Sequence, residues 1–473
     1  MSAFALTIGG KAVATTRQLD VINPFDESLA GRCAEATTEH VDQAVRCARE
    51  ALAGWASTPD AERAAKLVDI AALIERNQAE LARLITLEQG KPQSGPGANF
   101  EVAGAAGWTR ATASLKLPEE TIQDDNVARI VIRRKPVGVV GSVTPWNWPL
   151  LIATWHVMPA VRVGCTVVIK PSPLTPLATL RLIELMNQIL PPGVVNVVPS
   201  SDPAIGAILC TDPRVDQVSF TGSTATGRTV MAAASETIKK VFLELGGKSA
   251  FVVLDDADLR GACAVAAFTV ATHAGQGCAI TTRLVVPRRM LDDAVAATAS
   301  TLEKLPASDP LDPGTVCGPV INARQRDRIE GYLALAVDDG GEIVTGGRRP
   351  ERFDRGYWVD PTLVVGLYGR SRVVQEEIFG PVLVVLPHDG DDDAVAIAND
   401  SLYGLSGSVW SGDRDRAVAV ANRMRTGTVG VNGGLWYSPD VPFGGYRQSG
   451  IGREMGVAGF EEYLETKSIA EPA

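Results

Sequence analysis

The stretch VGVVGSV (137–143) is the first of five short β-branched runs that decide the fold of this chain. The other four are CTVVIK (165–170), VVNVV (194–198), DQVSF (216–220) and KKVFLEL (239–245). Amphipathic helical windows, such as residues 176–190, lie between several of these runs. Strands that alternate with helices are typical of βαβ units. The sequence therefore predicts an α/β domain built on a parallel sheet.

A second α/β series lies on the C-terminal side of this one and predicts a separate domain. Its strands are expected near residues 250–254, 284–286, 382–386, 407–410 and 428–431. On the N-terminal side, apolar side chains recur at helical spacing over 38–55 and 59–89, so the first hundred residues are expected to be largely helical. Residues 115–135 and the last run, YLETKSIAEPA (463–473), resemble strands outside both series. We expect them to pair as a small sheet at a subunit interface.

Length and composition indicate a globular protein of several domains. The 473 residues predict about three domains, and 45% hydrophobic with 21% charged residues is ordinary for such chains. Acidic residues outnumber basic ones by 55 to 45, and no Lys/Arg run follows a phosphate backbone, so nucleic acid is not an expected partner. The seven cysteines are scattered and odd in number, which favours a reducing compartment. The start lacks the features of a secretory signal, and we expect a cytoplasmic location.

Two charge-free stretches, 136–161 and 261–282, are long enough to span a bilayer. The first contains Pro145, Pro149 and Pro159 together with Asn147 and His156, and the second consists mainly of Ala, Gly and Thr and includes His273 and Gln276. Neither composition is typical of a lipid-facing helix. A charge-free stretch with a few polar side chains instead indicates a buried site, and no membrane association is expected.

A glycine-containing turn follows the strand at 216–220. Residues 221–227 (TGSTATG) join this strand to a helical window, and such a turn presents backbone N–H groups to a phosphate. The spacing differs from the GxGxxG dinucleotide motif, because the two glycines are five apart. The GGKS run at 246–249 resembles the end of a phosphate-binding P-loop, but that motif needs Gly at the position of Phe242. The nucleotide triphosphatase interpretation is therefore rejected.

Three residues are candidates for chemistry. Cys278 follows AGQG, where glycines allow close approach of the backbone to a ligand, although a free cysteine is usually a small buried hydrophobe. Glu244 ends an apolar strand and is either a solubilising group at a strand end or a buried base of raised pKa. Asn147 lies just before Pro149, a residue favoured at the first helical position, and can be an oxyanion donor or a turn residue.

These residues belong to ten motifs that together resemble the NAD(P)-dependent aldehyde dehydrogenases of the hydrolytic, non-acylating type. The motifs run nearly from end to end in the order of the family: NPFDE (23–27), LEQGKP (87–92), TPWNWPL (144–150), VIKPSPLTP (168–176), FTGSTATG (220–227), LELGGK (243–248), GQGC (275–278), EEIFGPV (376–382), YGL (403–405) and PFGGYRQSGIGRE (442–454). The resemblance implies a Rossmann-like cofactor domain (1–114 and 136–246), an α/β catalytic domain (247–448) and a small oligomerisation sheet from bridging segments (115–135 and 449–473).

The resemblance also implies a role for each matched residue. Cys278 is the nucleophile, Asn147 and the Cys278 backbone N–H form the oxyanion hole, and Glu244 is the general base. Glu454 matches a position linked to proton relay, and Lys170 belongs to the catalytic set as well as to the cofactor site. The implied cofactor contacts are Thr144, Pro145, Trp146, Lys170, Ser172, Gly222, Ser223, Gly227, Leu245, Glu377 and Phe379. The implied substrate pocket consists of Trp148, Ile152, Trp155, Tyr437 and Phe443, and no metal is expected.

The pocket residues are apolar or aromatic, which favours a hydrophobic or aryl aldehyde that is oxidised to the carboxylic acid. Glu244 favours hydrolysis over transfer to coenzyme A, but an acylating enzyme and a non-catalytic binding or structural protein stay open as alternatives. The likeness further implies a homodimer or homotetramer.

The sequence departs from the family pattern at several positions. Pro173 stands where the family often has a Glu that binds the adenosine ribose and repels a 2′-phosphate, so NADP stays open. NAD is expected because no additional basic residue replaces the missing carboxylate. His156 replaces a usual lysine, which puts a proton relay through that position in doubt. His273 replaces a common Asn, and Arg447 a frequent Lys.

Overall fold

The computed structural model describes residues 4–116, 119–434 and 437–473. Within these ranges the strands are β1 Leu6–Ile8, β2 Lys11–Val13, β3 Gln18–Ile22, β4 Leu29–Ala34, β5 Glu120–Asp124, β6 Ala128–Pro136, β7 Val139–Val143, β8 Thr166–Lys170, β9 Val195–Val197, β10 Gln217–Thr221, β11 Lys240–Glu244, β12 Ser249–Val253, β13 Thr281–Pro287, β14 Glu342–Thr345, β15 Thr362–Val365, β16 Val382–His388, β17 Ser406–Trp410, β18 Thr428–Val431, β19 Gly450–Ile451 and β20 Leu464–Pro472.

The α-helices of the same ranges are α1 Thr38–Ser57, α2 Asp60–Arg76, α3 Gln78–Gln89, α4 Ala98–Ser114, α5 Pro149–Val163, α6 Leu177–Met186, α7 Pro203–Thr211, α8 Thr224–Ala234, α9 Leu259–Ala271, α10 Leu291–Leu302, α11 Ala323–Asp338, α12 Arg372–Gln375, α13 Asp391–Asn399, α14 Arg414–Arg423 and α15 Gly456–Glu461. Short 3₁₀ turns occur at Ser235–Thr237, Thr272–Gly275, Arg288–Met290 and Arg447–Ser449.

The five runs that opened the sequence analysis form the centre of an eight-stranded sheet. Its order is β19-β11-β10-β7-β8-β9-β1-β2, and the strands from β11 to β9 are parallel. Helices connect these strands, so the predicted βαβ architecture is confirmed. The chain proceeds outward from β7 through β8 to β9, then returns to the other side of β7 to form β10 and β11. This reversal creates a crevice at the carboxyl ends of β7 and β10, which is where open α/β sheets bind ligands.

Apolar side chains cover both faces of this sheet. Val140, Val167 and Val195 face a cluster formed with α2, α4, α5 and α6, whereas Val139 and Val168 face a second cluster formed with α1 and α7. Strands buried on both faces read as continuous apolar runs rather than as an alternating pattern. This burial explains why VGVVGSV and CTVVIK contain few polar side chains.

The second α/β series forms a seven-stranded sheet in the order β14-β15-β16-β13-β12-β17-β18, with β14 antiparallel to β15 and the other pairs parallel. The two outlying segments pair as expected, because β20 and β5 flank β6 in a three-stranded antiparallel sheet. The short strand β19 pairs instead with β11, so residues 449–473 contribute to two sheets. The domain boundaries near 114, 136, 246 and 448 stay predictions, and residues 1–3, 117–118 and 435–436 of those domains lie outside the described ranges.

Several local expectations need correction. The first hundred residues are not as helical as expected, because β1 to β4 occupy much of 6–34 before α1 begins. These strands are short or exposed on one side, so they lack the continuous apolar run that identifies a buried strand. The single helix expected over 59–89 is divided at Asn77, the residue between α2 and α3. A search of the described residues finds no helix both long and apolar enough to cross a membrane.

Candidate active site

The predicted cofactor residues meet at the crevice between β7 and β10. Thr144, Pro145 and Trp146 follow β7 directly, and Gly222 with Ser223 follows β10. Since β7 and β10 are adjacent and parallel, the two loops leave the sheet side by side at its carboxyl edge. The sequence could place each loop after a strand, but only the strand order brings them together.

The glycine-containing turn at this crevice has the geometry of an anion site. The hydroxyl of Ser223 accepts a hydrogen bond from Thr226 N at 3.2 Å and so caps α8. Gly222 N donates to Glu244 O at 3.0 Å, which fixes the turn to the next strand. A Cβ on Gly227 would lie 2.6 Å from a methyl carbon of Leu245, so this position needs glycine for the helix to pack against the chain beyond β11. The N-terminus of α8 is therefore held where its N–H groups favour a phosphate.

Lys170 and Ser172 lie beside this crevice, at the end of β8 and just beyond it. Lys170 is buried, with 7% of its surface exposed, and burial lowers its pKa to about 8 against the opposing effect of Asp202 and Glu35. Ser172 accepts a hydrogen bond from Leu174 N at 3.3 Å across Pro173, the residue that replaces the usual Glu of the family.

Glu377 and Phe379 approach the same crevice from the second domain. Glu377 Oε1 accepts a hydrogen bond from Gly247 N at 3.0 Å, and burial raises the pKa of this carboxyl to about 7. A Cβ on Gly246 would come within 2.3 Å of the other carboxylate oxygen, so a side chain here would displace the Glu377 carboxylate. Phe379 has a left-handed backbone (φ 63°), and its ring meets Trp146 edge to face, with ring centroids 5.2 Å apart.

Asn147 is positioned by the start of α5, which begins at Pro149 as expected. Its side chain is 3% exposed, and Nδ2 donates to the carbonyl oxygen of Gln276 at 3.0 Å. His273 Nε2 lies 2.9 Å from the Asn147 carbonyl oxygen, so this N–H donates to it. Two hydrogen bonds thus attach the Asn147 loop to the loop that carries Cys278, 131 residues further along the chain.

The cysteine loop itself has an unusual backbone. His273, Ala274 and Gly275 have φ values of 53°, 52° and 68°, so three successive residues are left-handed after α9 ends. Cys278 follows this turn and is partly exposed. Burial raises the pKa of its thiol above the ordinary value, and the carboxylates of Glu244, Glu377 and Glu454 raise it further. The resting thiol is therefore protonated, and its activation requires a proton acceptor.

Glu244 is the acceptor that the geometry offers. It is 2% exposed at the end of β11, and among the described residues neither of its carboxylate oxygens has a hydrogen-bond partner. Burial raises its pKa well above the ordinary value, and the charge of Glu454 adds to this effect. A buried carboxylate without partners, electrostatically coupled to a cysteine, is suited to general-base chemistry.

Glu454 connects this site to a buried histidine. Its backbone pairs with Phe443 in a short antiparallel bridge, and its side chain is 3% exposed. Glu454 Oε1 lies 3.1 Å from His156 Nε2, and the other ring nitrogen of His156 lies 2.9 Å from the hydroxyl of Ser142. The same Nε2 lies 3.0 Å from the hydroxyl of Thr221, so His156 is held between Ser142, Thr221 and Glu454.

Three of the five predicted pocket residues, Trp155, Tyr437 and Phe443, form an aromatic wall. Trp155 packs against Trp108 and Phe443, with ring centroids 6.0 and 6.1 Å apart, and Tyr437 lies 5.8 Å from Phe443. Trp148 and Ile152 lie before and within the first turns of α5. Two neighbouring cavities along this wall share Met455, and Phe443 belongs to the same apolar cluster as Cys278. The wall therefore leads towards the thiol.

Sequence reasoning missed one buried group close to the site. Lys248 is 2% exposed, and its ammonium nitrogen has no hydrogen-bond partner in the part of the chain that the structure describes. Burial lowers its pKa to about 7. The sequence contains it in the LELGGK motif and in the rejected GGKS match, but neither assigned it a role, and a lysine is usually solvent-exposed.

Comparison with known proteins gives a consistent answer. The sequence profile of the aldehyde dehydrogenase family matches residues 12–469. The chain is 40% identical to geranial dehydrogenase from Castellaniella defragrans, over 98% of this chain and 97% of that protein, and 38% identical to betaine aldehyde dehydrogenase from Bacillus subtilis, over 95% and 93%. The crystal structure of Staphylococcus aureus betaine aldehyde dehydrogenase in complex with NAD⁺ superposes with a TM-score of 0.96 at 36% identity, over 99% of this chain and 94% of that one.

The chain belongs to the aldehyde dehydrogenase family. It is an NAD(P)-dependent aldehyde dehydrogenase, and the predicted fold class is confirmed.

Proposed function

We propose that this enzyme oxidises an apolar or aromatic aldehyde to its carboxylic acid through a thioester on Cys278. The observation that carries the proposal is Glu244, a fully buried carboxylate with no hydrogen-bond partner among the described residues, whose charge acts on the Cys278 thiol. Such a base can accept a proton first from the thiol and later from water.

In the first half of the reaction the Cys278 sulfur attacks the aldehyde carbon, and its proton passes to Glu244. The carbonyl oxygen becomes an oxyanion. The amide of Asn147 has two N–H donors, of which one is bound to Gln276 O, so the second can donate to this oxyanion together with the backbone N–H of Cys278. NAD(P), when bound, supplies the hydride acceptor that turns the thiohemiacetal into a thioester.

The cofactor site is supported by features of this chain. The capped N-terminus of α8 with Gly222 and Ser223 suits the pyrophosphate, and the buried ammonium of Lys170 suits the adenosine ribose. Thr144, Pro145, Ser172, Gly227 and Leu245 shape the crevice around them. Glu377 suits the nicotinamide ribose, and the contact between Trp146 and Phe379 borders the ring site.

Before the second half Glu244 passes on the proton that it took from the thiol. The regenerated carboxylate then removes a proton from water, and the water oxygen attacks the thioester carbon. The carbon–sulfur bond then breaks, which releases the carboxylic acid, and the Cys278 thiolate takes the water proton from Glu244 to restore the resting thiol. Glu454, whose charge acts on Glu244, and His156, 3.1 Å from Glu454, form a buried polar pair that can accept the thiol proton from Glu244. This route ends in hydrolysis and does not use coenzyme A.

The aromatic wall supports an apolar substrate, and the name of the relative geranial dehydrogenase agrees with this class. The same rings favour a second candidate, because aromatic faces also attract quaternary ammonium groups, and other relatives are named betaine aldehyde dehydrogenases. Comparison of kcat/KM for an unsaturated hydrocarbon aldehyde, benzaldehyde and a trimethylammonium aldehyde tests the two. A preference for the ammonium substrate would overturn the apolar assignment.

We infer that NAD is the preferred cofactor. Asp202 and Glu35 lie close enough to Lys170 to affect its pKa, and their charges oppose a 2′-phosphate. The test is the ratio of kcat/KM for NAD and NADP, with Pro173→Glu as the variant expected to increase discrimination against NADP. Equal use of both cofactors by the unmodified enzyme would contradict the inference.

The product assay separates the alternatives. Release of free acid without coenzyme A supports hydrolysis, whereas formation of an acyl-CoA with little acid in its absence supports an acylating enzyme. Lack of turnover with every aldehyde and both cofactors supports a non-catalytic binding or structural protein.

We also propose that the three-stranded sheet mediates a homodimer or homotetramer. Within the described residues β5 and β20 are its outer strands, and Ile122 and Val127 on it are 59% and 68% exposed. Free strand edges with exposed apolar side chains favour pairing with another copy. Light scattering of the purified protein measures the subunit number.

All seven cysteines are free thiols, which favours the reducing cytoplasm as the location.

A further inference from the structure

The LEQGKP motif (87–92) contains Lys91, one member of a buried ion pair that has no part in the proposed chemistry. Lys91 lies between α3 and α4, and its ammonium binds Glu101 Oε2 in the first turn of α4. Both side chains are completely buried. Removal of two charges from water costs so much that a buried ion pair contributes little net stability compared with apolar residues. Stability alone therefore does not account for the pair.

The second oxygen of Glu101 supports the beginning of α5. Glu101 Oε1 accepts hydrogen bonds from Leu150 N at 2.9 Å and Leu151 N at 3.1 Å. Trp148, the N-cap residue of α5, makes no side-chain capping bond among the described residues, so Glu101 supplies the cap from another helix. A carboxylate at this end also matches the positive end of the helix dipole.

The ammonium of Lys91 fixes the residue next to Asn147. Its nitrogen lies 3.5 Å from the centroid of the Trp148 ring, in the geometry of a cation–π contact. The edge of the same ring meets His273, with ring centroids 5.5 Å apart, and His273 donates to the Asn147 carbonyl. Asn147 is therefore held on both sides: by His273 through its own carbonyl, and by Lys91 and Glu101 through Trp148 and the first turn of α5.

We propose that the Lys91–Glu101 ion pair is a positioning element that sets the orientation of the Asn147 amide towards the oxyanion. This inference rests on the proposed role of Asn147 as the oxyanion donor. Neither charged residue touches the substrate or the reacting atoms. Their effect acts through the backbone of α5 and the Trp148 ring, and a small displacement of a donor is enough to weaken transition-state stabilisation.

The test is a double-mutant cycle with the neutral pair Lys91→Met and Glu101→Gln. The combined variant removes both charges at similar volume, and the glutamine can still accept from the α5 backbone. With Asn147 present, we expect kcat/KM to fall roughly ten- to a hundredfold, mainly in kcat. In the Asn147→Ala background, the same two changes are expected to alter kcat/KM by less than about twofold, because their route of action is already lost.

Glu88 provides a matched control from the same motif. It is completely buried and accepts from Leu177 N and Ala178 N at the start of α6, a helix that contributes no reacting group. Burial raises its pKa to about 8. Glu88→Gln repeats the loss of a buried helix-capping carboxylate and is expected to leave kcat/KM within about twofold of the unmodified enzyme.

An equal loss in both backgrounds, or no loss in either, would overturn the proposal. If the neutral pair fails to fold, Glu101→Asp decides the question, since it keeps the charge and shortens the reach to Leu150 and Leu151. It is expected to give a loss that again disappears in the Asn147→Ala background. If Asn147→Ala alone leaves kcat unchanged, the proposed role of Asn147 fails; if Asn147→Ala is impaired but the losses add, only the positioning inference fails.

Discussion

Replacement of Glu244 by glutamine separates the two halves of the proposed reaction. The change keeps the volume of a side chain that is 2% exposed and has no hydrogen-bond partner among the described residues, but it removes the base. We expect one equivalent of reduced cofactor per active site in a burst that is slower than in the unmodified enzyme, because Glu244 also accepts the thiol proton, followed by turnover that is slower by about 10² to 10⁴. Stopped-flow absorbance measures the burst, and mass spectrometry of the stalled enzyme locates the acyl group on Cys278.

The same variant has a thermodynamic signature that follows from burial. The folded pKa of Glu244 lies well above the ordinary value of 4.5. At pH values between the ordinary pKa and the raised folded pKa, Glu244 has lost its proton in the unfolded chain and kept it in the folded protein. In that range this group makes the free energy of unfolding fall by about 1.4 kcal/mol for each unit by which the pH rises. Glutamine does not titrate, and its variant should lose this part of the slope in urea unfolding measured across that pH range.

Glu35 is the matched control for the sign of this effect. It is 4% exposed, and although burial acts to raise its pKa, hydrogen bonds from Ser201 and the charge of Arg17 lower it overall. Its contribution to stability is therefore present above its ordinary pKa and lost as the pH falls through the lowered value. Glu35→Gln should reduce the loss of stability at acid pH and leave the Glu244 slope intact. Full-speed cycling of Glu244→Gln, or an unchanged pH slope, would refute the assignment of Glu244 as a buried base.

Three further outcomes are expected. Because burial raises the Cys278 pKa, alkylation of this thiol by iodoacetamide should accelerate steadily as the pH rises into the alkaline range. Cys278→Ser should abolish turnover. Labelling of Cys278 with activity intact would contradict its role. His156→Ala should keep the burst but make acid release slower, with a changed pH profile of kcat. Its control is His388→Ala, at a buried histidine bonded to Val253 O. Both variants should lose about 1–3 kcal/mol of stability, but His388→Ala should leave kcat unchanged. Gly227→Ala should force Leu245 to move and lower the stability of the fold by about 1–3 kcal/mol. It should also weaken cofactor binding, measured by fluorescence titration. Unchanged affinity would show that Gly227 is not part of the cofactor site.

Local patterns in the sequence determined the architecture of this protein. The short β-branched runs from VGVVGSV to KKVFLEL, with helical windows between several of them, predict the strands of a parallel sheet, and those strands form the centre of the large sheet. Pro149 marks the start of α5, and the glycines before Cys278 indicate the turn that follows α9. Such features are legible because helix, strand and turn preferences depend on neighbours within a few residues. The strands β1 to β4 were not predicted, because strands that are short or exposed on one side carry little apolar signal.

The chemistry of the site depended on contacts that no local pattern records. Asn147 reaches the cysteine loop through Gln276, Glu454 meets His156, and Lys91 lies against Trp148 only because distant segments pack together. The raised pKa of Glu244 likewise comes from burial by other parts of the chain. Desolvation and charge coupling act through space, and the sequence separation of two groups does not reveal their distance. Residue types and their order therefore specified which groups could react, whereas the tertiary structure decided which of them meet and how strongly each holds its proton.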